Sequence, residues 1–222
     1  MWTVYRHVKG MDYLAVCEAL HSEEEQPYQV YRCLYDNELA SSWVRPLEMF
    51  HGIASSGERR FSPVARVRVV APEDEALVLS FGHAAWGQGQ SLGQYVASYA
   101  DDRHHLQGKA YLLEQMDGAV VAALNTLRLS RHRVGIARVA TAPEHQRKGY
   151  ASLLVRAAME LVRLEGERVR FLLFSEVQPG FYARLGFNEL PKEHQHFLPS
   201  VAMISGPEPL EPFDTERMRQ YF

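Results

Sequence analysis

The clearest chemistry in the chain lies in Ala137 to Ala151, reading ARVATAPEHQRKGYA. A short apolar run ends at Pro143. A basic turn with one glycine follows, Gln146-Arg147-Lys148-Gly149-Tyr150-Ala151, and a helical pattern begins at once. A strand feeding a turn that opens a helix is an anion site. The first helical N–H groups have no partner inside the helix, and the dipole is positive at that end. Gly149 lets the backbone approach a ligand, and Arg147 and Lys148 add charge. The chemistry implied is binding of a phosphate or pyrophosphate. The spacing is neither G-x-x-x-x-G-K-[ST] nor G-x-G-x-x-G, so neither of those phosphate loops is present. The plain alternative is a surface turn ahead of an amphipathic helix.

The elements that must position this turn follow from periodicity. Short runs rich in Val, Tyr, Leu and Cys at 2–6, 12–20 and 28–35 read as strands, as does Trp43-Val44, with a helical turn over Leu47 to Phe50. They suggest a small, mostly β, barrel-like domain over 1–62. Gly52, Ala54-Ser55-Ser56-Gly57 and Pro63 mark a linker over 51–65. A second domain, 63–206, follows, with its first strand at Arg66. A helix is expected over Ala76 to Trp86, and Ser91 caps another to about Ala100. Lys109 to Gln115 and Ala119 to Ser130 form a hairpin, and Val134 to Thr141 is the next strand. Gly149 to Leu164 is a helix with Tyr150, Leu154, Ala157, Ala158, Leu161 and Val162 on one face. The strand Val169 to Phe174, a short helix over Pro179 to Leu185 and the strands Phe187 to Leu190 and Val201 to Ile204 complete the fold. A tail, 207–222, holds three prolines and a short helix capped by Asp214.

Composition bounds the class. With 222 residues, 46% hydrophobic and 23% charged, the chain is an ordinary globular one. The N-terminus lacks a signal-peptide core and no run reaches transmembrane length, so a cytoplasmic protein is expected. Cys17 and Cys33 are too few for a disulfide framework and read as buried free thiols. The net charge of −3 argues against nucleic acid as a partner. Residues 128–170 nonetheless hold ten basic and four acidic side chains, a cationic rim around the turn. His104-His105 and His194-x-His196 lack ligand partners at metal-binding spacing, so no metal is expected.

Gln146-x-x-Gly149-x-Ala151 after an apolar strand resembles the pyrophosphate loop of the GCN5-related N-acetyltransferase (GNAT) superfamily. Phe181-Tyr182-x-x-Leu185-Gly186-Phe187 resembles that family's second cofactor segment. The element order over about 66–206 is similar as well. The resemblance implies an α/β acyltransferase fold, with a mixed central sheet flanked by helices. It implies direct acetyl transfer from acetyl-CoA, the co-substrate, to a primary amine. Val139, Ala140, Thr141 and Ser175 would hold the pantetheine arm, and Gln146, Arg147, Lys148, Gly149, Tyr150 and Ala151 the pyrophosphate. Tyr182 falls at the family's general-acid position. Glu176 and Glu114 are the candidate bases, with water chains as an alternative.

Residues 1–62 resemble a bacterial family of small domains of unknown function. Tyr5-Arg6-His7-x-Lys9-Gly10, Val30-Tyr31-Arg32-x-Leu34-Tyr35 and Trp43-Val44-Arg45-Pro46-Leu47-x-Met49-Phe50 carry this resemblance, which implies no activity. The expected acceptor is a small-molecule or peptide amine, walled by helices over 76–105 with Trp86, Tyr95 and Tyr99. A membrane partner is not expected, and a homodimer is left open. The alternative is a non-catalytic CoA-binding scaffold whose β domain binds a partner.

Overall fold

The computed structural model describes residues 1–99, 108–166, 169–176 and 179–206. The expected tail helix at Asp214 and the His104-His105 pair lie outside the described residues. The chain divides into two compact units. One comprises Met1–Val69 with Leu112–Val121, the other Val70–Tyr111 with Ala122 onward.

The first unit holds β1 (Trp2–His7), β2 (Asp12–Leu20), β3 (Pro27–Cys33), β4 (Ser42–Pro46), α1 (Leu47–His51) and β5 (Phe61–Val69). These strands pair antiparallel in the order β5-β1-β2-β3-β4. Period-two alternation gives the sheet two faces. Val4, Leu14, Ala65 and Val67 are fully buried on one. Tyr13, Tyr31, Phe50 and Phe61 form an aromatic core on the other, with Tyr5, Tyr35 and Trp43 against it. Phe50 of α1 stacks on Phe61 at 4.1 Å. The guanidinium of Arg45, on β4, lies 5.9 Å over the ring of Phe61, on β5. Side chains of the first and last strands in this order therefore meet over the aromatic core.

Two expectations change here. The strand expected from Arg66 starts at Phe61 and pairs with β1 from Phe61 to Val67, so the second half of the expected linker is structured. Cys33 is buried as expected, but Cys17 is exposed. Past Val16, β2 leaves the core, and Glu18, Ala19 and Leu20 are exposed too.

The second unit is built on β7 (Val120–Ser130), β8 (Arg133–Thr141), β9 (Arg170–Ser175), β10 (Phe187–Glu189) and β11 (Val201–Ser205), in the order β10-β11-β9-β8-β7. β8 and β9 are parallel and the other described pairs in this unit antiparallel. A parallel pair needs a crossover, and the helix over Tyr150–Glu165 supplies it. Leu154, Ala157, Ala158, Leu161 and Val162 are buried along it, at the spacing of one helical face. Arg163 reaches the ring of Phe171 at 5.3 Å, so the helix covers the face of β9 that carries Phe171. Leu172, Leu190, Ala202 and Ile204 form the opposite core.

Ahead of the sheet, the helix expected over 76–86 is broken. α2 (Glu75–Ser80) and α3 (His83–Trp86) flank Gly82, and α4 (Leu92–Ala97) follows Ser91, which caps it through Gln94. A Cβ on Gly82 would sit 2.4 Å from the indole of Trp86 and 2.8 Å from the Tyr95 hydroxyl. The two aromatic side chains close on the bare backbone, where the chain bends. The crossover helix is α5 in this numbering, and α6 is Pro179–Ala183. β6 (Lys109–Gln115) starts in the second unit, and its residues from Leu112 belong to the first.

Phe50→Ala should destabilise the first unit by about 3–5 kcal/mol, as a fully buried aromatic deletion does. Chemical denaturation checks this. A cost under about 1 kcal/mol, the range of a surface change, would remove Phe50 from the core.

Candidate active site

The site begins where β8 and β9 part. Their pairing runs from Arg133↔Arg170 to Gly135↔Leu172 and no further. Both strands continue. β8 stays paired with β7 as far as Thr141, and β9 with β11 as far as Ser175. The backbones of 136–141 and 173–175 thus border a gap in which neither is the other's partner. Buried backbone polar groups need partners, so such a gap suits an extended ligand with amides of its own. In open α/β sheets ligands bind beyond the carboxyl ends of parallel strands.

A bulge accompanies the parting. Ala123 pairs with Ala140 but Asn125 with Ala137, so β8 carries one extra residue there. Arg138 takes it up with φ 52°. A left-handed non-glycine residue costs about 1–2 kcal/mol and bulges re-aim the strand beside a site. The guanidinium of Arg138 lies 4.2 Å over the ring of Tyr99, a cation–π contact.

β8 runs directly into the anion loop. Gln146 reaches back with its Nε2 to the Thr141 carbonyl at 3.5 Å. Arg147 has φ 59° and Gly149 φ 86°, two left-handed residues two apart. Successive N–H groups in such a turn form a concave anion nest. Gly149 caps α5, and the first bond into the helix is Leu153 N–H to Gly149 O, at 3.0 Å. The N–H groups of the first helical turn precede that bond, at the positive end of the helix dipole. No side chain caps them. Arg147 and Lys148 are exposed beside them.

β9 ends at Ser175, which is 3% exposed and whose Oγ has no hydrogen-bond partner among the described residues. A buried hydroxyl without a partner calls for an explanation, and a ligand acceptor in the gap supplies one. Glu176 follows, exposed, and accepts from the indole Nε1 of Trp86 at 3.0 Å. Thus α3 reaches the end of β9, while Tyr99 reaches the bulge of β8. Tyr182, on α6, packs edge-on to Phe181 and Phe187. Burial, and then the negative charge of Glu176, push its phenol up to about 12. Its hydroxyl bonds to no described residue and stays protonated near neutrality.

Glu114 belongs to the first unit, where Arg68 (3.3 Å) and Arg66 (3.6 Å) hold its two carboxylate oxygens. Tyr95 is buried, and its hydroxyl accepts from Tyr99 at 3.2 Å, so it supports Tyr99 rather than facing solvent. Sequence reasoning missed Arg138, whose left-handed backbone has no residue-type signal. It also missed the link between Trp86 and Glu176, which are ninety positions apart. Among the described residues no cluster of metal-ligand side chains occurs, and no helix is long and apolar enough to cross a membrane.

Residues 106–189 match the model of the acetyltransferase (GNAT) domain, and residues 3–63 match a domain described as a protein of unknown function, DUF1653. Solved structures are similar in fold. A putative N-acetyltransferase from Lactobacillus plantarum aligns at 17% identity with a TM-score of 0.52, covering 64% of this chain and 97% of that one. A spermidine N-acetyltransferase chimera from Vibrio cholerae aligns at 16% identity with a TM-score of 0.51, covering 63% and 94%. The PaiA N-acetyltransferase from Thermoplasma acidophilum, solved with coenzyme A, aligns at 12% and 0.50, covering 64% and 98%. No curated protein matches the sequence. The match to the GNAT acetyltransferase domain model thus lies over 106–189, preceded by the DUF1653 match over 3–63, and the solved structures share the fold.

Gly149→Ala should destabilise the protein by about 1–2 kcal/mol through its left-handed backbone. A Cβ there meets nothing within 4 Å, so steric crowding is not the cause. Gly149→Asn, which tolerates that conformation, should cost less. Equal costs for the two variants in thermal unfolding would contradict this origin.

Proposed function

We propose that the second unit transfers the acetyl group of acetyl-CoA directly to a primary amine. The observation that carries the reading is the parting of β8 from β9 directly ahead of an uncapped, cationic helix start. The residues present fit coenzyme A. Its pyrophosphate would lie on the N–H groups of the Gln146 to Ala151 loop, with Arg147 and Lys148 screening its charge. Its pantetheine amides would replace the missing strand partners between Val139–Thr141 and β9, and Ser175 would gain the partner it lacks.

The chemistry then needs three further groups. A backbone N–H near Val139 would donate to the thioester oxygen as the carbonyl carbon becomes tetrahedral. The attacking amine must lose a proton, because an ammonium of pKa roughly 10 is no nucleophile. Glu176, directly or through water, would take it, since both oxygens of Glu114 are occupied by guanidiniums. When the C–S bond breaks, the thiolate takes the phenolic proton of Tyr182. The acetyl group ends on the amine nitrogen and no acyl-enzyme forms. The fold likeness to a spermidine N-acetyltransferase supports a small amine as acceptor, with Trp86 and Tyr99 beside the entrance.

Tyr182→Phe should lower kcat by about 10²–10⁴-fold, the usual contribution of a general acid, and leave acetyl-CoA affinity unchanged. Unchanged turnover across an amine panel would remove Tyr182 from the chemistry. The variant has a second readout in stability against pH. Burial favours the neutral phenol, so the folded pKa lies above the unfolded value near 10. Wild-type stability should therefore fall as pH rises from about 10 towards 12. Tyr182→Phe should lose that part of the alkaline decline, and an identical decline in both proteins would contradict the assignment.

A further inference from the structure

The first unit gathers cations where side chains of β4 and β5 meet. His7 and Phe61 are direct cross-strand partners on β1 and β5, with ring centroids 4.7 Å apart. Arg45 comes from β4 to lie over the same Phe61 ring, and its Nε reaches the Tyr31 hydroxyl at 3.4 Å. Arg60 precedes Phe61, and its carbonyl accepts from Val8 N–H at 2.9 Å, which ties it to the end of β1. Lys9 follows in the turn. β4, the residue ahead of β5 and the turn after β1 thus supply three cations that act on one imidazole.

Three features point to a ligand. First, Arg45, Arg60 and Lys9 form no ion pair with any described residue, although residues 1–64 carry nine carboxylates against six basic side chains. The carboxylates that do pair in this unit serve other arginines, Asp12 with Arg6 and Glu114 with Arg66 and Arg68. Like charges acting on one imidazole repel one another, and no carboxylate of the unit forms an ion pair with them. Second, the Nε of Arg60 is buried without a partner. Third, the Nδ1 of His7 accepts the Lys9 backbone N–H at 3.1 Å, which fixes the neutral tautomer with its proton on Nε2. Burial, and then Arg45, Arg60 and Lys9, hold that imidazole below its ordinary range. The groups acting on it are cations, and its nearest ring neighbours are Phe61 and Tyr13.

We propose that His7, Lys9, Arg45 and Arg60 form a binding site for the phosphoryl group of a small molecule, at the seam of β1, β4 and β5. Guanidiniums match phosphate geometry with paired N–H groups, and Lys9 adds a point charge. A compact dianion fits better than a nucleic-acid strand. The three cations all act on His7, while the rest of the unit is acidic and would repel an extended polyanion. This site is separate in sequence and in unit from the coenzyme loop at 146–151, and does not rest on the acetyl-transfer reading.

The test uses the full chain and inorganic phosphate at constant ionic strength, with His7 titrated by NMR. A bound dianion favours the imidazolium. The His7 midpoint should rise with added phosphate and saturate, while chloride leaves it unmoved. Arg45→Gln and Arg60→Gln should each weaken the apparent phosphate affinity about tenfold or more, the loss of one charge-assisted pair. Exposed Lys9→Gln, which leaves the aromatic core intact, should weaken it as well. Arg32→Gln, on the alternate face of β3, should not. No midpoint rise beyond the chloride control would overturn the proposal. So would an equal rise with acetate, or an unchanged phosphate affinity in the Arg45, Arg60 and Lys9 variants.

Discussion

The second unit depends on the end of a hydrogen-bonded ladder. β8 and β9 are partners for three residue pairs and then are not, although each remains tied to its outer neighbour. The extra residue at the Arg138 bulge lets β8 turn away without losing β7. The parting leaves the backbones of 136–141 and 173–175 without each other as partners, and the Ser175 hydroxyl lies buried there with no hydrogen-bond partner among the described residues, while β8 runs on into the loop that opens α5. Arg138 bears the left-handed strain, and the stacking of its guanidinium on Tyr99 offsets part of it.

The flanking side chains divide between support and chemistry. Gly82 lets Trp86 and Tyr95 close on the backbone, Tyr95 holds Tyr99, and Tyr99 receives Arg138. Trp86 holds the carboxylate of Glu176, whose negative charge adds to burial, the larger cause, in raising the Tyr182 phenol. A substitution at Gly82 would therefore be felt at both strand ends without touching either. The first unit has a different logic. Its aromatic layer brings the outer strands together, and the cations at that seam lack the carboxylates that pair other arginines of the unit.

Much of this is legible in the residues alone, because the elements are locally specified. Alternating β-branched and aromatic residues mark the strands, Ser91 and Gln94 form a capping box, and one apolar stripe marks α5. The Gln146 to Ala151 turn also announces itself, since Gly149 and the two basic residues have direct physical roles. What sequence does not show is long-range. An arginine in left-handed conformation looks like any arginine, so the bulge is silent. The contact of Arg45 with Phe61 depends on how five strands come together, and the bond of Trp86 to Glu176 on where a broken helix lands. Phe61 to Ala65 misleads for the same reason. Its glycine- and proline-containing approach reads as linker, yet it pairs with β1, Phe61 with His7 and Ala65 with Val4, far away in sequence.

Calorimetric titration of the intact chain with acetyl-CoA tests the central claim most directly. The parted strands and the cationic loop predict one site per chain, with a Kd in the range of about 1 μM to 1 mM typical of enzyme substrates. Binding should weaken when Arg147 and Lys148 are both replaced by glutamine. Absence of any heat of binding at millimolar acetyl-CoA, or binding unaffected by those replacements, would contradict the account.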